Sequence, residues 1–260
     1  MTPDERTGDP TRRFTDRVAD YACARPSYPS ALIEVLRESC GLEPSWVVAD
    51  VGSGTGKLSR LFLDAGNRVV GVEPNREMRG EAERAFAGHP RFRGVDGRAE
   101  RTGLDPQSID LVAAGQAFHW FDRNPAREEF LRILRPRPGR SVALIWNDRI
   151  EDAGAFMRGY EQLLLRHGRD YEQVKRLWPT DEEIARFFGG RLPVKRVLSH
   201  AQVLDRAGLR ARARSSSYVP APGRPGHREL MAALDALFER HARQGRVTVP
   251  YATRIYVGTL

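Results

Sequence analysis

From residue 47 to residue 147, short apolar runs alternate with stretches in which apolar residues recur at helical spacing. Val47-Val48-Ala49-Asp50-Val51 is a β-branched run and reads as a buried strand. Leu58, Leu61, Phe62 and Ala65 follow at helical spacing. Arg68 to Val72 gives a second strand, and a helix from about Asn75 to Ala87 leads to a third strand over residues 91 to 96. Ile109 to Ala114 is the fourth strand. The next helix, Pro125 to Arg135, buries Phe130, Leu131 and Leu134 and stops at Arg-Pro-Arg-Pro-Gly (135 to 139). Arg140 to Asn147 is the fifth strand. Strands that alternate with helices in this way predict an open, mostly parallel sheet with helices on both faces.

The flanks are less regular. Residues 1 to 13 form a loose polar tail, and Phe14, Val18 and Tyr21 predict a short helix. Two prolines, Pro26 and Pro29, then fix a turn, with Ser30 a candidate cap for a helix carrying Leu32, Ile33 and Leu36. Residues 150 to 188 read as helical, interrupted at Trp178-Pro179, with Thr180 capping the last piece. Pro193 to Leu204 is the sixth strand, and Asp205 to Arg214 a short basic helix. A helix with Leu230, Leu234, Leu237 and Phe238 precedes a final strand, read as two pieces, Arg246 to Pro250 and Ala252 to Val257.

Composition narrows the class. A chain of 260 residues, 40% hydrophobic and 29% charged, fits one large α/β domain with a helical elaboration. No apolar run approaches the roughly 18 to 20 residues that span a bilayer. The polar N-terminus lacks the apolar centre of a signal peptide, so the expected location is the cytoplasm, with no membrane partner. Cys23 and Cys40 match no metal spacing and are expected to be reduced. The six histidines, from His89 to His241, show no tight metal spacing either, so no metal is expected. The formal charge of +8 raises nucleic acid as a partner. However, only Lys57, Lys175 and Lys195 are lysines among 42 basic residues, and the arginines are scattered among acids. That pattern reflects a coding bias toward arginine more than a binding face, so nucleic acid is not the expected partner.

The chemistry centres on the turn after the first strand. Gly52, Gly54 and Gly56 stand at alternate positions, where glycine tolerates unusual dihedrals and lets a ligand approach the main chain. A dinucleotide fingerprint would need its third glycine at position 57, which is Lys57. Glu73 ends the second strand about 20 residues on, where an acid accepts hydrogen bonds from ribose hydroxyls. In open α/β sheets ligands sit beyond the carboxyl ends of the strands, so the segment after the fourth strand, Gly115-Gln116-Ala117-Phe118-His119-Trp120-Phe121, is the expected reaction zone. His119 has two readings there, a general base or a positioning residue.

Asp50 followed by Gly52, Gly54 and Gly56, together with Glu73-Pro74-Asn75 and Met78, resembles the class I S-adenosylmethionine-dependent methyltransferases. The resemblance covers nearly the whole chain and is strongest from Val47 to Asp122. Gly97-Arg98-Ala99-Glu100 is similar to that family's turn beside adenine, although Arg98 stands where many relatives carry Asp or Thr and cannot accept a hydrogen bond. Gln116 and the run through His119-Trp120-Phe121 resemble a small-molecule subgroup, loosely trans-aconitate-methyltransferase-like. So do Arg25-Pro26-Ser27-Tyr28-Pro29 and Ser215-Ser216-Ser217-Tyr218.

The resemblance implies a Rossmann-like, doubly wound, seven-stranded sheet, mostly parallel with its last strand antiparallel, forming one domain over 1–260. It implies an N-terminal lid over 14–45, a cofactor-binding core over 47–149, a helical cap over 150–190 and C-terminal strands and helices over 191–260. The implied cofactor is S-adenosylmethionine, held by Asp50, Gly52, Gly54, Gly56, Glu73, Pro74, Met78, Gly97, Ala99 and Gln116. The substrate pocket it implies includes Tyr21, Arg25, Tyr28, Trp120 and Tyr218, and Trp146 and Asn147, at the carboxyl edge of the fifth strand, are second-rank candidates for it. Tyr21 and Tyr28 have a second reading as packing for the first helix.

Amino-methylating nucleic-acid enzymes carry Asn/Asp-Pro-Pro-aromatic after the fourth strand, where this chain has Gly-Gln-Ala-Phe. A cytosine-carbon enzyme needs a nucleophilic cysteine there, and both cysteines lie before the glycine turn. The expected acceptor is therefore a small organic molecule, methylated at oxygen or carboxylate. Methylation of RNA or protein, and binding of the cofactor without methyl transfer, are the alternatives. Oligomeric state is left open.

Overall fold

The computed structural model describes residues 24–136 and 141–260. Its strands are β1 (Val47–Val51), β2 (Arg68–Val72), β3 (Phe92–Val95), β4 (Leu111–Gly115), β5 (Ser141–Arg149), β6 (Val194–Leu204) and β7 (Val247–Thr259). They form one sheet in the order β3-β2-β1-β4-β5-β7-β6. Pairing is parallel from β3 through β5, and β7 runs antiparallel between β5 and β6. The strand order reverses between β1 and β4, so a crevice opens at the carboxyl ends of these two strands.

On one face lie α1 (Leu32–Cys40), α2 (Lys57–Asp64) and α3 (Arg76–Ala85). Leu32, Leu36, Leu58 and Phe62 pack there against Val48, Leu111 and Ile145. Ser30 does not cap α1 with its hydroxyl; its carbonyl accepts from the Ile33 amide at 3.1 Å, and the N-cap is Ala31. Asn75 caps α3 by accepting from the Met78 amide. On the opposite face, α4 (Arg123–Ile133) and α7 (Asp181–Phe187) enclose an aromatic core of Phe118, Phe130, Trp146 and Phe187. Thr180 closes a capping box with Glu183 at the start of α7.

The helices over 150–190 are divided between two cores, and residues 171 and 173–178 line the main cavity. α5 (Gly154–His167) and α6 (Tyr171–Arg176) pack with α8 (Arg206–Arg214) and α9 (His227–His241) around Val249 and Tyr251 of β7. This third core stands apart from the other two, on the part of β6 and β7 that extends past the parallel strands. α7, by contrast, belongs to the sheet core through Phe187 and Phe188. The apolar stripes of the later helices match each other better than they match the sheet, and chain order does not reveal that. β7 is also continuous through Pro250: the residue before it in space, Ile150, lies just past the end of β5 and donates its amide to the Pro250 carbonyl. No helix among the described residues is long and apolar enough to cross a membrane. Cys40 is a free thiol that donates to Leu36 O.

Candidate active site

The turn leaving β1 puts Gly52 at φ 72°, Gly54 at 56° and Gly56 at 81°, all in the left-handed region. Gly52 and Gly54 line a cavity of about 1550 Å³ that runs along the carboxyl edge of the sheet. A Cβ on Gly52 would lie 2.5 Å from Ala117 Cβ, so the bare backbone lets this turn touch the segment after β4. Gly56 does not share that role. A Cβ there would meet the Phe86 ring at 2.5 Å, so this glycine packs α2 against α3, away from the cavity.

Glu73 lines the cavity at the end of β2 and is buried. Its Oε2 accepts from the Gly54 amide and its Oε1 from the Asn75 amide, both at 2.9 Å. One carboxylate therefore fixes the glycine turn and the start of α3 together. Burial pushes the Glu73 carboxyl up, and these amides oppose the rise. Pro74, Met78, Gly97 and Ala99 complete this end of the cavity. Gly97 is tightly fitted, since a Cβ there would lie 2.5 Å from Thr102 O. Arg98 lines the same wall.

Asp50 lies behind the turn and borders a separate small cavity of about 40 Å³, with Tyr28 and Thr55. Its Oδ2 accepts from Ser59 Oγ at 2.7 Å, and its buried Oδ1 has no hydrogen-bond partner. Burial raises its pKa to about 7. An unfolded chain releases that proton near pH 4, so between about pH 4 and 7 the folded state binds more protons and loses stability as pH rises. Asp50→Asn is expected to flatten this dependence. Melting temperatures taken from pH 5 to 7.5 should diverge, with the variant gaining on the parent protein; parallel curves would show Asp50 to be ionised throughout.

Gln116, at φ 57°, is one of three described non-glycine residues with positive φ, and it sits at the cavity wall. Its side-chain amide donates to Asn147 O at 2.8 Å. Asn147 in turn donates to Ser27 O at 3.2 Å and accepts from Thr253 Oγ1 at 2.6 Å, which ties β4, β7 and the N-terminal segment together. A Cβ on Gly115 would strike the Tyr28 hydroxyl, so Tyr28 lies directly over the end of β4. His119 and Trp120, in a short 3-10 turn (Phe118–Trp120), both line the main cavity.

Trp146 and Asn147, expected side by side at the carboxyl edge of the fifth strand, part ways in the structure, where β5 runs on to Arg149. Trp146 points into the aromatic core, fully buried against Phe118 and Tyr256. Alternation along the strand turns Asn147 to the other side, and it borders the cavity instead. Tyr21 lies outside the described residues. Arg25 and Tyr218 line the main cavity.

Sequence reasoning missed Arg149, Tyr171, Lys175 and Arg212, which meet Tyr218 at the far end. Arg149 donates to Tyr218 Oη at 2.9 Å and Tyr171 Oη at 2.6 Å. Arg149 is two residues beyond the point where apolar alternation stops, and Arg212 is hidden in a chain full of arginines. Among the described residues, no group of three or more His, Cys, Asp or Glu side chains is set to hold a metal.

Comparison with known proteins agrees with this geometry. Residues 49–138 match the family model described as a methyltransferase domain. An uncharacterized methyltransferase of Mycobacterium tuberculosis is 35% identical over 167 residues, covering 64% of this chain and 63% of that protein. Another from Schizosaccharomyces pombe is 34% identical over 139 residues, 53% of each chain. The matched stretches thus span little more than half to just under two thirds of these relatives. A solved structure provisionally named as a type II methyltransferase, from Anaeromyxobacter dehalogenans, superposes with a TM-score of 0.62 at 26% identity, over 90% of this chain and 97% of the other. A sheet ordered in this way, opened by this glycine turn, thus stands in a chain whose residues 49–138 match a methyltransferase domain and whose fold is similar to that of a solved structure named as a methyltransferase.

Proposed function

We propose that the protein transfers a methyl group from S-adenosylmethionine to a small organic acceptor, at an oxygen or carboxylate. The observation that carries this reading is one continuous cavity with two chemically different ends. One end has exposed glycine backbone and the Glu73 carboxylate; the other has guanidinium and phenol groups.

The first end fits the donor. Each Glu73 oxygen uses one lone pair on a backbone amide and keeps acceptor capacity for ribose hydroxyls. Gly52 and Gly54 supply close backbone approach, and Met78 and Ala99 offer apolar surface for a base. The Arg98 side chain can donate but not accept, so the wall beside it contributes backbone and packing.

Once bound, S-adenosylmethionine supplies a methyl group already activated on a sulfonium. What the chain adds is orientation and exclusion of water. Gln116, locked to Asn147, holds the loop between the two ends in one conformation. His119 borders the same cavity and is the residue assigned to take the proton from an acceptor that arrives as a hydroxyl. A carboxylate acceptor arrives ionised and needs no such step.

Transfer of labelled methyl from S-adenosylmethionine into fractionated host extract tests the reading, with label expected among small metabolites. Label in RNA or protein would overturn the choice of acceptor. With a hydroxyl acceptor, His119→Ala is expected to lower kcat about a hundredfold or more while leaving donor affinity intact. Near-normal turnover would leave His119 as cavity wall only.

A further inference from the structure

The far end of the cavity is built around buried positive charge. Arg149, the last residue of β5, has a side chain only 9% exposed, and Arg212 is 3% exposed. Burying a guanidinium is costly unless an anion lies beside it. Glu161 pairs with Arg149 at 3.3 Å, but it also accepts from Tyr171 at 2.6 Å and from Lys175 at 2.9 Å. Lys175 takes Glu151 as well, at 2.6 Å. Arg149 and Lys175 therefore take both of the nearby carboxylates, Glu161 and Glu151.

Arg212 has neither of them. Its Nε donates to Tyr251 Oη at 2.9 Å and its Nη1 to Ser216 Oγ at 3.1 Å, both neutral groups. Arg149 Nε is buried with no hydrogen-bond partner. Between these side chains lies the Tyr218 hydroxyl, at the cavity wall. Burial alone would push that hydroxyl up, yet the charges on Arg149, Arg212 and Arg25 outweigh it and bring its pKa down to about 8. Negative charge is thus favoured at this spot.

We infer that Arg149 and Arg212 form an anchor for a carboxylate or comparable oxyanion on the methyl acceptor, remote from the atom that is methylated. The inference rests on the methyltransferase reading above. Position supports the acceptor as the source of the anion. Arg149 is two strands from β1 and four residues past Ile145, the residue level with Gly115. Strand spacing and rise set it roughly 10 Å across the sheet and roughly 13 Å beyond that level. The donor turn and the anchor thus occupy opposite ends, and the acceptor spans the interval. Two guanidiniums with planar donor forks suit a carboxylate in particular.

The test separates this inference from the reading on which it rests. Host metabolites are split on an anion exchanger before incubation with labelled S-adenosylmethionine. The acceptor is expected in the retained, acidic fraction, and Arg149→Met and Arg212→Met are each expected to lower kcat/KM for it about tenfold or more. Affinity for S-adenosylhomocysteine should stay within about twofold of the parent. An acceptor found in the unretained fraction overturns the inference and leaves methyl transfer standing. Loss of S-adenosylhomocysteine affinity, with affinity for 5′-methylthioadenosine unchanged, also overturns it, because the arginines would then hold the donor's own carboxylate. If no fraction takes label, methyl transfer itself fails, and the anchor is read directly from the thermal shift that citrate gives on the S-adenosylhomocysteine-saturated protein. A citrate shift lost in Arg149→Met supports the anchor; an equal shift in both proteins overturns it. Should a Met variant not fold, Arg149→Lys and Arg212→Lys keep the charge, lose the fork and carry the same comparisons.

Discussion

Glu73→Ala is expected to weaken S-adenosylmethionine binding by about a hundredfold or more, or ~3 kcal/mol. Two losses combine. The carboxylate assigned to the ribose disappears, and the amides of Gly54 and Asn75 lose the acceptor that aligns them. Glu73→Gln is expected to do little better. Both carboxylate oxygens accept from backbone N–H groups, so the new side-chain NH2 must face one of those donors. Calorimetry on the folded variants checks both statements. Unchanged affinity in Glu73→Ala would remove the ribose assignment and leave Glu73 a purely structural clamp.

The second large effect is at Gly52. Its φ of 72° costs an alanine about 1–2 kcal/mol, and the new Cβ would sit 2.5 Å from Ala117 Cβ. Relief requires the turn after β1 or the segment after β4 to move, and both border the donor end. Gly52→Ala is therefore expected to lower the melting temperature by roughly 5–10 °C and to abolish measurable donor binding. A fold that melts normally while donor affinity collapses would show the backbone yielding locally. Normal affinity would mean that the turn does not meet the donor.

Most of the sheet was legible in the sequence because its strands are short, apolar and punctuated. Val47–Val51 and Arg68–Val72 match the expected strands, and the acid that ends the second one faces the cavity. Thr180 was readable as a cap because capping is local chemistry. The third glycine misled for the opposite reason: its neighbour is Phe86, far along the chain, and no spacing rule reports a packing partner. Trp146 and Asn147 show the same limit. Adjacent residues in a strand face opposite sides, and residue type alone does not say which side is the cavity. The basic helix over 206–214 was seen, but its buried member, Arg212, becomes distinct only when Tyr251 and Ser216 are brought to it.

The separation of three hydrophobic cores bears on how such a protein diversifies. Glu73 and the glycine turn are supported by the two sheet cores, whereas Tyr171, Arg212 and Tyr218 hang on the third. The methyltransferase-domain match, residues 49–138, falls within the first region. Substitutions that reshape the Arg149–Tyr218 end of the cavity are thus borne by a different packing unit from the one that supports Glu73 and the glycine turn. On the proposed reading, acceptor preference can drift, or be re-engineered, while the glycine turn and Glu73 keep their shape.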